Sequence, residues 1–332
     1  MQPVYESSSA ANRVDLLRRF APTMHATNLV AMQRTVRVET NNQEMLALVL
    51  KFFERHQHST PSVPEFVWRI IVECDTRLDP SGVRLSAFSD GGLRYVNIGQ
   101  MSFLAVDLEK REGKAFLDPA FVHADARFRH RPPVDILFCM TAASLGLAAL
   151  SGGCVGTNDR GVLIFGPPNS GKTTASYLAA QSGMEFHADQ VIFPDARSNS
   201  LAVWGDPFPA VFRPETLGYL PELRDCCRQS NYGNCSFYYF DKGSMQAPRT
   251  KPVVPICSLF LDRSGRGGAQ LSEMNPRAAL SRFYEYLLFA EDAKVDPQIG
   301  AAMHALTRTP AYSLTYNTDP KIAADVMVKM LK

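Results

Sequence analysis

Short apolar runs dominate the first part of the chain and predict strands. One strand is predicted over 66–73. The runs at 83–89, 93–97 and 102–108 approximately alternate between apolar and polar positions, which predicts an antiparallel meander. The earlier run 28–40 is rich in β-branched residues, and Asn41 followed by Glu44 resembles a capping box that opens a helix over 43–55. We therefore expect the chain to begin with an α+β domain.

The pattern changes near residue 132, and we place a domain boundary there, between 1–132 and 133–332. Apolar side chains in 135–150 recur at helical spacing and predict a buried helix. Residues 152–165 then show strand, turn and strand, so the second strand has an antiparallel partner directly before it. This hairpin predicts a mixed sheet in an α/β domain. Later elements are expected as helices over 173–181, 276–290 and 320–331, and as strands over 186–193, 253–261 and 312–316.

A glycine-rich loop, GPPNSGKTT at 166–174, joins the second strand of this hairpin to a helix and has the Walker A pattern. Its glycines let backbone N–H groups converge on a polyphosphate, Lys172 supplies a charge for the β and γ phosphates, and the Thr173 hydroxyl can ligate Mg²⁺. The helix start directs its positive dipole end at the anion. A Gly-Pro loop without a ligand is the alternative, but strand, loop and helix all fit the phosphate site. We expect ATP and Mg²⁺ to bind through Gly166, Pro168, Asn169, Ser170, Gly171, Lys172, Thr173 and Thr174.

Use of the nucleotide also needs a carboxylate that takes a proton or anchors the metal. Asp189 lies seventeen residues after Lys172, a spacing that suits a strand beside the loop strand. We predict Asp189 as the catalytic base, with a backbone cap as its structural alternative. Asp262 ends an apolar run as a Walker B aspartate does, but the glycine-rich segment after it favours a turn.

The region 221–251 is polar, aromatic and irregular, and we expect a mobile loop near the substrate there. It contains Lys242, Arg249 and Lys251, any of which could place a cation on the charge that develops during phosphoryl transfer. A solvated basic loop is the alternative.

The amino-acid composition limits the classes of binding partner and the cellular compartment that we expect. The 332 residues carry a net charge of +2, which gives no electrostatic footprint for nucleic acid or an anionic membrane. Seven cysteines scattered through apolar runs and loops indicate reduced thiols. The N-terminus lacks a signal pattern, and no apolar run is long enough to span a membrane. We expect a cytoplasmic protein without nucleic-acid or membrane partners.

Together these motifs resemble the HPr kinase/phosphorylase family, and especially its kinase-like relatives. The resemblance rests on the Walker A loop followed by threonine, on Gly183 eleven residues after Lys172, and on the pair Ala188-Asp189. A Pro-Phe-Pro segment after the aspartate and the Pro-strand-Arg segment at 252–263 add to it. The similar part covers approximately 135–330.

This resemblance implies a mixed-sheet P-loop core akin to phosphoenolpyruvate carboxykinase, preceded here by the α+β N-terminal domain. It also implies transfer of the γ-phosphoryl group of ATP to a hydroxyl, the serine of a protein or peptide, and it points to homo-oligomers. In that family pattern Lys172 holds phosphates, Thr173 holds the metal and Asp189 is the catalytic base.

The chain departs from the family pattern at several positions. Gln190 stands where the family has a second aspartate, and Ser151 where it has a histidine. The family's metal-binding glutamate signature is not recognisable, which leaves Asp206, our predicted ligand beside Thr173, or Glu215. These departures weigh against the reverse phosphorylase reaction. They also support an alternative, a switch or scaffold that binds or slowly hydrolyses a nucleotide, and a kinase for a small metabolite is a third reading.

Overall fold

A computed structural model describes residues 22–56, 63–73, 85–98, 102–123, 133–195, 197, 201–206, 210–232, 235–240, 251–264, 268–317 and 319–332. The fold is mixed α/β, with two larger sheets and two smaller ones in the described residues. In that part of the chain, no helix combines the length and the apolar composition that crossing a membrane requires.

The N-terminal sheet has the spatial order β1-β2-β3-β7-β6-β5-β4. Strands β2, β3 and β7 are parallel neighbours, and the other neighbours are antiparallel. The predicted meander is therefore confirmed as β4 to β6, and β7, which was not predicted, continues it. The strands are β1 (His25–Ala31), β2 (Arg34–Thr40), β3 (Phe66–Val72), β4 (Leu85–Asp90), β5 (Leu93–Ile98), β6 (Ser102–Asp107) and β7 (Glu112–Leu117), with helices α1 (Gln43–Phe52) and α2 (Ala120–His123).

The predicted start of α1 at residue 43 is confirmed, but the helix ends at Phe52 rather than at 55, and the predicted cap, Asn41, was wrong by one residue. The side-chain oxygen of Asn42 accepts the cap hydrogen bond from the Met45 N–H at 2.8 Å. Asn41 instead binds β3, where its amide pairs with both the N–H and the C=O of Val72, each at 2.8 Å. Its side chain therefore secures the end of a neighbouring strand, and the next polar residue caps the helix.

Helix α3 (Pro133–Thr141) is buried along its whole length and packs against the N-terminal sheet. The Phe138 ring lies 5.2 Å from the ring of Phe53, 6.2 Å from that of Trp68 and 5.3 Å from that of Phe193, measured between centroids. These rings belong to one apolar cluster. The core of the N-terminal sheet therefore includes residues from both predicted domains.

The second large sheet has the spatial order β11-β9-β10-β17-β19-β18. Strand β10 pairs antiparallel with β9 and parallel with β17, and β17 pairs parallel with β19. The predicted hairpin and mixed sheet are both confirmed. The strands of this part are β8 (Leu150–Ser151), β9 (Gly153–Thr157), β10 (Arg160–Phe165), β11 (Glu185–Ala188), β12 (Val191–Pro194), β13 (Val203–Gly205), β14 (Ala210–Phe212), β15 (Arg228–Tyr232), β16 (Cys235–Phe240), β17 (Val254–Asp262), β18 (Gln270–Met274) and β19 (Ala311–Thr315). The helices are α4 (Lys172–Gln181), α5 (Leu223–Cys226), α6 (Pro276–Tyr286), α7 (Asp292–Val295), α8 (Pro297–Leu306) and α9 (Pro320–Leu331).

Side chains of β10 alternate between two helical layers. Val162 and Ile164 join the apolar cluster that contains residues of α4 and α9. Leu163 and Phe165 join the cluster that contains residues of α6 and α8. Because helices cover both faces of the sheet, every residue of this strand after Arg160 is buried, which explains its continuous apolar sequence.

The predicted strand over 186–193 was wrong in part, because two strands, β11 and β12, form there and the chain leaves the large sheet after Ala188. Strand β11 pairs with β9, whereas β12 lies in a small sheet between β13 and β8. The Asp206 carboxylate accepts hydrogen bonds from the N–H groups of Gln190 and Val191, at 3.2 and 2.8 Å. These bonds satisfy the backbone where it changes sheet.

The prediction of an irregular loop over 221–251 was also wrong in part. Strands β15 and β16 form a hairpin there, and β16 pairs with β14 in a small antiparallel sheet. The rest of the predicted loop, 241–250, lies outside the described residues. The pattern gave no sign of β18 or α8, and α6 ends at Tyr286 rather than at 290.

A buried ion pair ties the two halves of the chain together. Arg94 of β5 pairs with Asp292 at the start of α7, and the side chains are 1% and 0% exposed. The Arg94 guanidinium also donates to the Met140 carbonyl at 2.6 Å and lies 4.2 Å from the ring centroid of Phe289. Burial of two charges is tolerated only when they pair closely, so this contact couples the stability of the halves.

Candidate functional site

The glycine-rich loop 166–174 leaves no room for side chains at two of its glycines. A Cβ added to Gly166 would lie 2.4 Å from the Ser170 hydroxyl oxygen and 2.9 Å from the Leu261 carbonyl. Gly171 has a φ of 87°, and a Cβ there would lie 2.7 Å from the Tyr316 hydroxyl. Glycine is therefore required at both positions, and the backbone itself forms the surface of the loop.

Helix α4 begins at Lys172, directly after the cap residue Gly171. The first N–H groups of a helix have no partner within it, and the helix dipole makes this end positive. The Walker A pattern predicts that these N–H groups bind an anion.

Lys172 reaches back across the loop. Its ammonium donates to the carbonyl of Gly166 at 2.6 Å and to that of Pro167 at 3.2 Å. Burial lowers the pKa of Lys172 to about 8, and the negative charge of Asp189 partly opposes this effect. The structure thus brings the predicted phosphate lysine and the predicted base within electrostatic reach of each other. A bound anion would raise the pKa of Lys172.

Two residues from neighbouring strands contact the outside of the loop. Arg263 follows the end of β17 and donates from Nη1 to the Asn169 carbonyl at 3.3 Å. Tyr316 follows the end of β19 and donates its hydroxyl to the Ser170 carbonyl. Tyr316 is fully buried, and burial raises its pKa to about 12. Neither contact was predicted, since only the position of these residues at strand ends could have signalled it.

A cavity of about 410 Å³ opens beside the loop and the start of α4. Loop residues 169–174 form one part of its lining, and residues of β14 and of the turn that follows it form another part. Arg263 and Pro320 complete the lining. A volume of this size lies within the range of small-ligand sites.

One further observation on the loop, a buried hydroxyl without a partner, is compatible with a bound phosphate. The Ser170 hydroxyl is buried and has no hydrogen-bond partner. Ser170 and the adjacent Gly171 are both part of the cavity lining. Buried polar atoms in folded proteins are nearly always satisfied, so an orphaned hydroxyl here is typical of a place for a polar ligand.

The predicted carboxylates occupy different places. The Asp189 side chain is 3% exposed, and its negative charge acts on the pKa of Lys172. Asp189 is not part of the cavity lining. Asp206, the predicted metal ligand, is also absent from the lining and accepts the backbone hydrogen bonds described above. Glu215, the alternative ligand, lines the cavity together with Thr173. Asp262 forms the predicted turn, accepting from the Ser264 N–H at 2.9 Å. Hydrogen bonds from the side chain and the backbone of Ser264 lower the pKa of the Asp262 carboxyl.

Residues that could hold a metal are few. In the ranges that the structure covers, no group of three or more His, Cys, Asp or Glu side chains could hold a metal ion. Mg²⁺ usually keeps several waters and takes one or two protein ligands together with phosphate oxygens. Thr173 and Glu215 fit such a partial set. Of the predicted basic residues, Lys251 is exposed and outside the cavity lining, while Lys242 and Arg249 lie outside the described residues.

Comparisons with known proteins add little to this geometry. No protein-family model matches the chain, and no curated protein matches it. Among solved structures, the chain is similar to the Hpr(Ser) kinase/phosphatase from Coxiella burnetii, with 11% identity and a TM-score of 0.29. That match covers 55% of this chain and 93% of the other. The likeness to an HPr kinase is therefore weak, and a TM-score of this size does not establish a shared fold.

Proposed function

We propose that this chain is a phosphotransferase that uses ATP and Mg²⁺ to phosphorylate a hydroxyl, with the serine of a protein or peptide as acceptor. One observation carries the proposal. The Lys172 ammonium binds back onto the loop carbonyls at the start of α4, beside a cavity large enough for a small ligand. Phosphoryl transfer depends on positioning and charge compensation, which such a loop supplies.

Each group of the site has a task in this proposal. The backbone N–H groups of 169 and 171–173 would bind phosphate oxygens, and the Lys172 ammonium would exchange its loop carbonyls for the same oxygens. Thr173 would ligate the metal, and Glu215 is the carboxylate of the cavity that could join it. When bound, the nucleotide supplies the γ-phosphoryl group and Mg²⁺ offsets its charge. The orphaned Ser170 hydroxyl would gain a polar partner.

Asp189 would orient the acceptor hydroxyl and take its proton. The charge of Asp189 interacts with the Lys172 ammonium, the group that would bind the phosphates. The Asp189 side chain is only 3% exposed and does not line the cavity, so it would have to become accessible before an acceptor hydroxyl could reach it. This burial specifically favours a second candidate function, a nucleotide-dependent switch that hydrolyses ATP slowly and transfers nothing.

Two variants of the full chain separate these functions. Lys172→Met should abolish Mg·ATP binding in calorimetry, because it removes the charge on the phosphates. Asp189→Asn should bind Mg·ATP normally and lower transfer of label from γ-labelled ATP to an acceptor by roughly 10²–10⁴-fold. Lys329→Met, at an exposed position of α9, is the matched control and should behave as wild type.

The outcomes distinguish the candidates clearly. Labelled acceptor that disappears in Asp189→Asn supports the kinase. Free phosphate without any labelled acceptor supports the switch. Normal transfer by Asp189→Asn would show that Asp189 is not the base, and normal ATP binding by Lys172→Met would remove the basis of both candidates.

A further inference from the structure

We propose that Arg263 is the second cation of the site and binds the terminal phosphate of the nucleotide opposite Lys172. This inference rests on the proposed nucleotide use and adds a residue to which no role in it has been assigned. It predicts that the chain distinguishes a nucleoside triphosphate from a diphosphate through this arginine.

The strand order brings Arg263 to the loop. Strands β10 and β17 are parallel neighbours, with Phe165 paired to Phe260, so their carboxyl ends meet at the same edge of the sheet. Arg263 is the first residue after β17 and lies on the lining of the cavity that also contains Thr173 and Thr174. Ligands of α/β sheets bind at this edge, so its position suits contact with a phosphate.

The guanidinium already contacts the backbone of the loop. Nη1 donates to the Asn169 carbonyl at 3.3 Å, and Cδ lies 3.6 Å from where a Cβ on Gly171 would be. The Arg263 charge also acts on Tyr316. Burial raises the pKa of Tyr316, and the positive charge of Arg263 offsets part of this increase. The positive charge of Arg263 is therefore directed at the loop.

The bond to Asn169 is one that a phosphate can replace with advantage. It is longer than the about 2.9–3.0 Å at which N–H donors most often bind oxygen, and its acceptor is a neutral carbonyl. Guanidinium groups bind phosphate through two parallel, charge-assisted bonds, which are stronger than bonds to neutral acceptors. Exchange of the carbonyl for a phosphate is therefore favourable.

Other cations are less well placed. Among the residues that the structure describes, Lys172 and Arg263 are the cations that hydrogen-bond to carbonyls of the loop. Arg213 also lines the cavity, but it is exposed and follows β14, not a strand whose carboxyl end meets the loop. Lys251 is exposed and does not line the cavity. A cation supplied within the chain at this place would stabilise the charge of phosphoryl transfer.

Calorimetry on the full chain with three probes tests the role of Arg263: Mg·ADP, Mg·AMP-PNP, and Mg·ADP with aluminium fluoride, which mimics the transferring phosphoryl group. For Arg263→Gln we expect the Mg·ADP dissociation constant to stay within about threefold of wild type. The Mg·AMP-PNP affinity should fall about tenfold to hundredfold, because a charge-assisted contact to the terminal phosphate is lost. The aluminium fluoride complex should weaken further, because such an arginine is used most in the transition state.

Two further variants control the measurement. Arg263→Lys keeps the charge but loses the paired donors, so its AMP-PNP affinity should lie between wild type and Arg263→Gln. Arg277→Gln changes an exposed arginine of α6 outside the cavity lining and should match wild type with all three probes. Thermal melting of each variant establishes that it is folded.

If Arg263→Gln lost affinity for Mg·ADP and for Mg·AMP-PNP by the same factor, the assignment would be overturned, because the arginine would then only hold the loop in place. Unchanged affinity for every probe would overturn it as well. If wild type itself binds none of the probes, the proposed function fails first, and that result is distinct from a failure seen only in the variant.

Discussion

Substitution of Gly171 by alanine tests the packing that shapes the glycine-rich loop. The backbone at this position has a φ of 87°, where an L side chain is strained, at a cost of about 1–2 kcal/mol. The new Cβ would also lie 2.7 Å from the Tyr316 hydroxyl, and relief of such overpacking costs about 1–3 kcal/mol more. We therefore expect Gly171→Ala to lower the free energy of unfolding by about 2–5 kcal/mol.

Tyr316→Phe separates the two contributions. Alone, it removes the hydroxyl that donates to the buried Ser170 carbonyl, at a cost of about 1–3 kcal/mol. In that background the nearest atoms to the new Cβ are Arg263 Cδ at 3.6 Å and the Tyr316 ring carbon Cζ at 4.0 Å, which are ordinary contacts. Gly171→Ala should then cost only its backbone strain. The double variant should be more stable than additivity predicts by about 1–3 kcal/mol.

Urea unfolding of the wild type, both single variants and the double variant measures this coupling. Gly183→Ala is the matched control, since its φ of 93° gives comparable strain while nothing lies within 4 Å of an added Cβ. It should cost about 1–2 kcal/mol with or without Tyr316→Phe. Additivity of Gly171→Ala and Tyr316→Phe to within about 0.5 kcal/mol would refute the contact between the tyrosine hydroxyl and the loop.

Two further predictions concern buried charges. Arg94→Met should lower the free energy of unfolding by about 3–5 kcal/mol in urea, because it leaves Asp292 buried and uncompensated. Arg282→Gln breaks a more exposed pair and should cost less than about 1 kcal/mol, so equal effects would contradict the coupling of the two halves. Burial lowers the pKa of Lys172 from 10.5 to about 8, so between these values the unfolded chain binds more protons and the wild type should become more stable as pH rises. In unfolding measurements without ligand, Lys172→Met should lack this rise in stability with pH. An identical rise in both proteins would show that the pKa of Lys172 is not lowered by folding.

Much of the architecture follows from local sequence. Alternation along β10 assigns Leu163 and Ile164 to opposite faces of the sheet, because successive side chains of a strand point in opposite directions. Asn158 and Asp159 adopt the positive φ angles, 49° and 65°, that a tight hairpin turn requires. The antiparallel partner of β10, and with it the mixed sheet, could therefore be predicted from a few adjacent residues.

The failed predictions share a physical cause. Asn41 and Asn42 are equally good caps by type, and only the position of β3 decides that the first binds a strand and the second the helix. The strand over 186–193 is apolar enough to continue, but Asp206 satisfies backbone N–H groups where the chain changes sheet. In both places a partner distant in sequence overrides the local pattern.

The glycine-rich loop also shows which features depend on local sequence and which depend on tertiary structure. Its glycines, its lysine and the helix that follows are adjacent in sequence, so the local sequence alone predicts a phosphate-binding loop. The residues that hold this backbone, Arg263 and Tyr316, lie 94 and 146 positions from the carbonyls they bind. Only the parallel order of β10, β17 and β19 brings these residues to the loop, because it places the carboxyl ends of the three strands at one edge of the sheet.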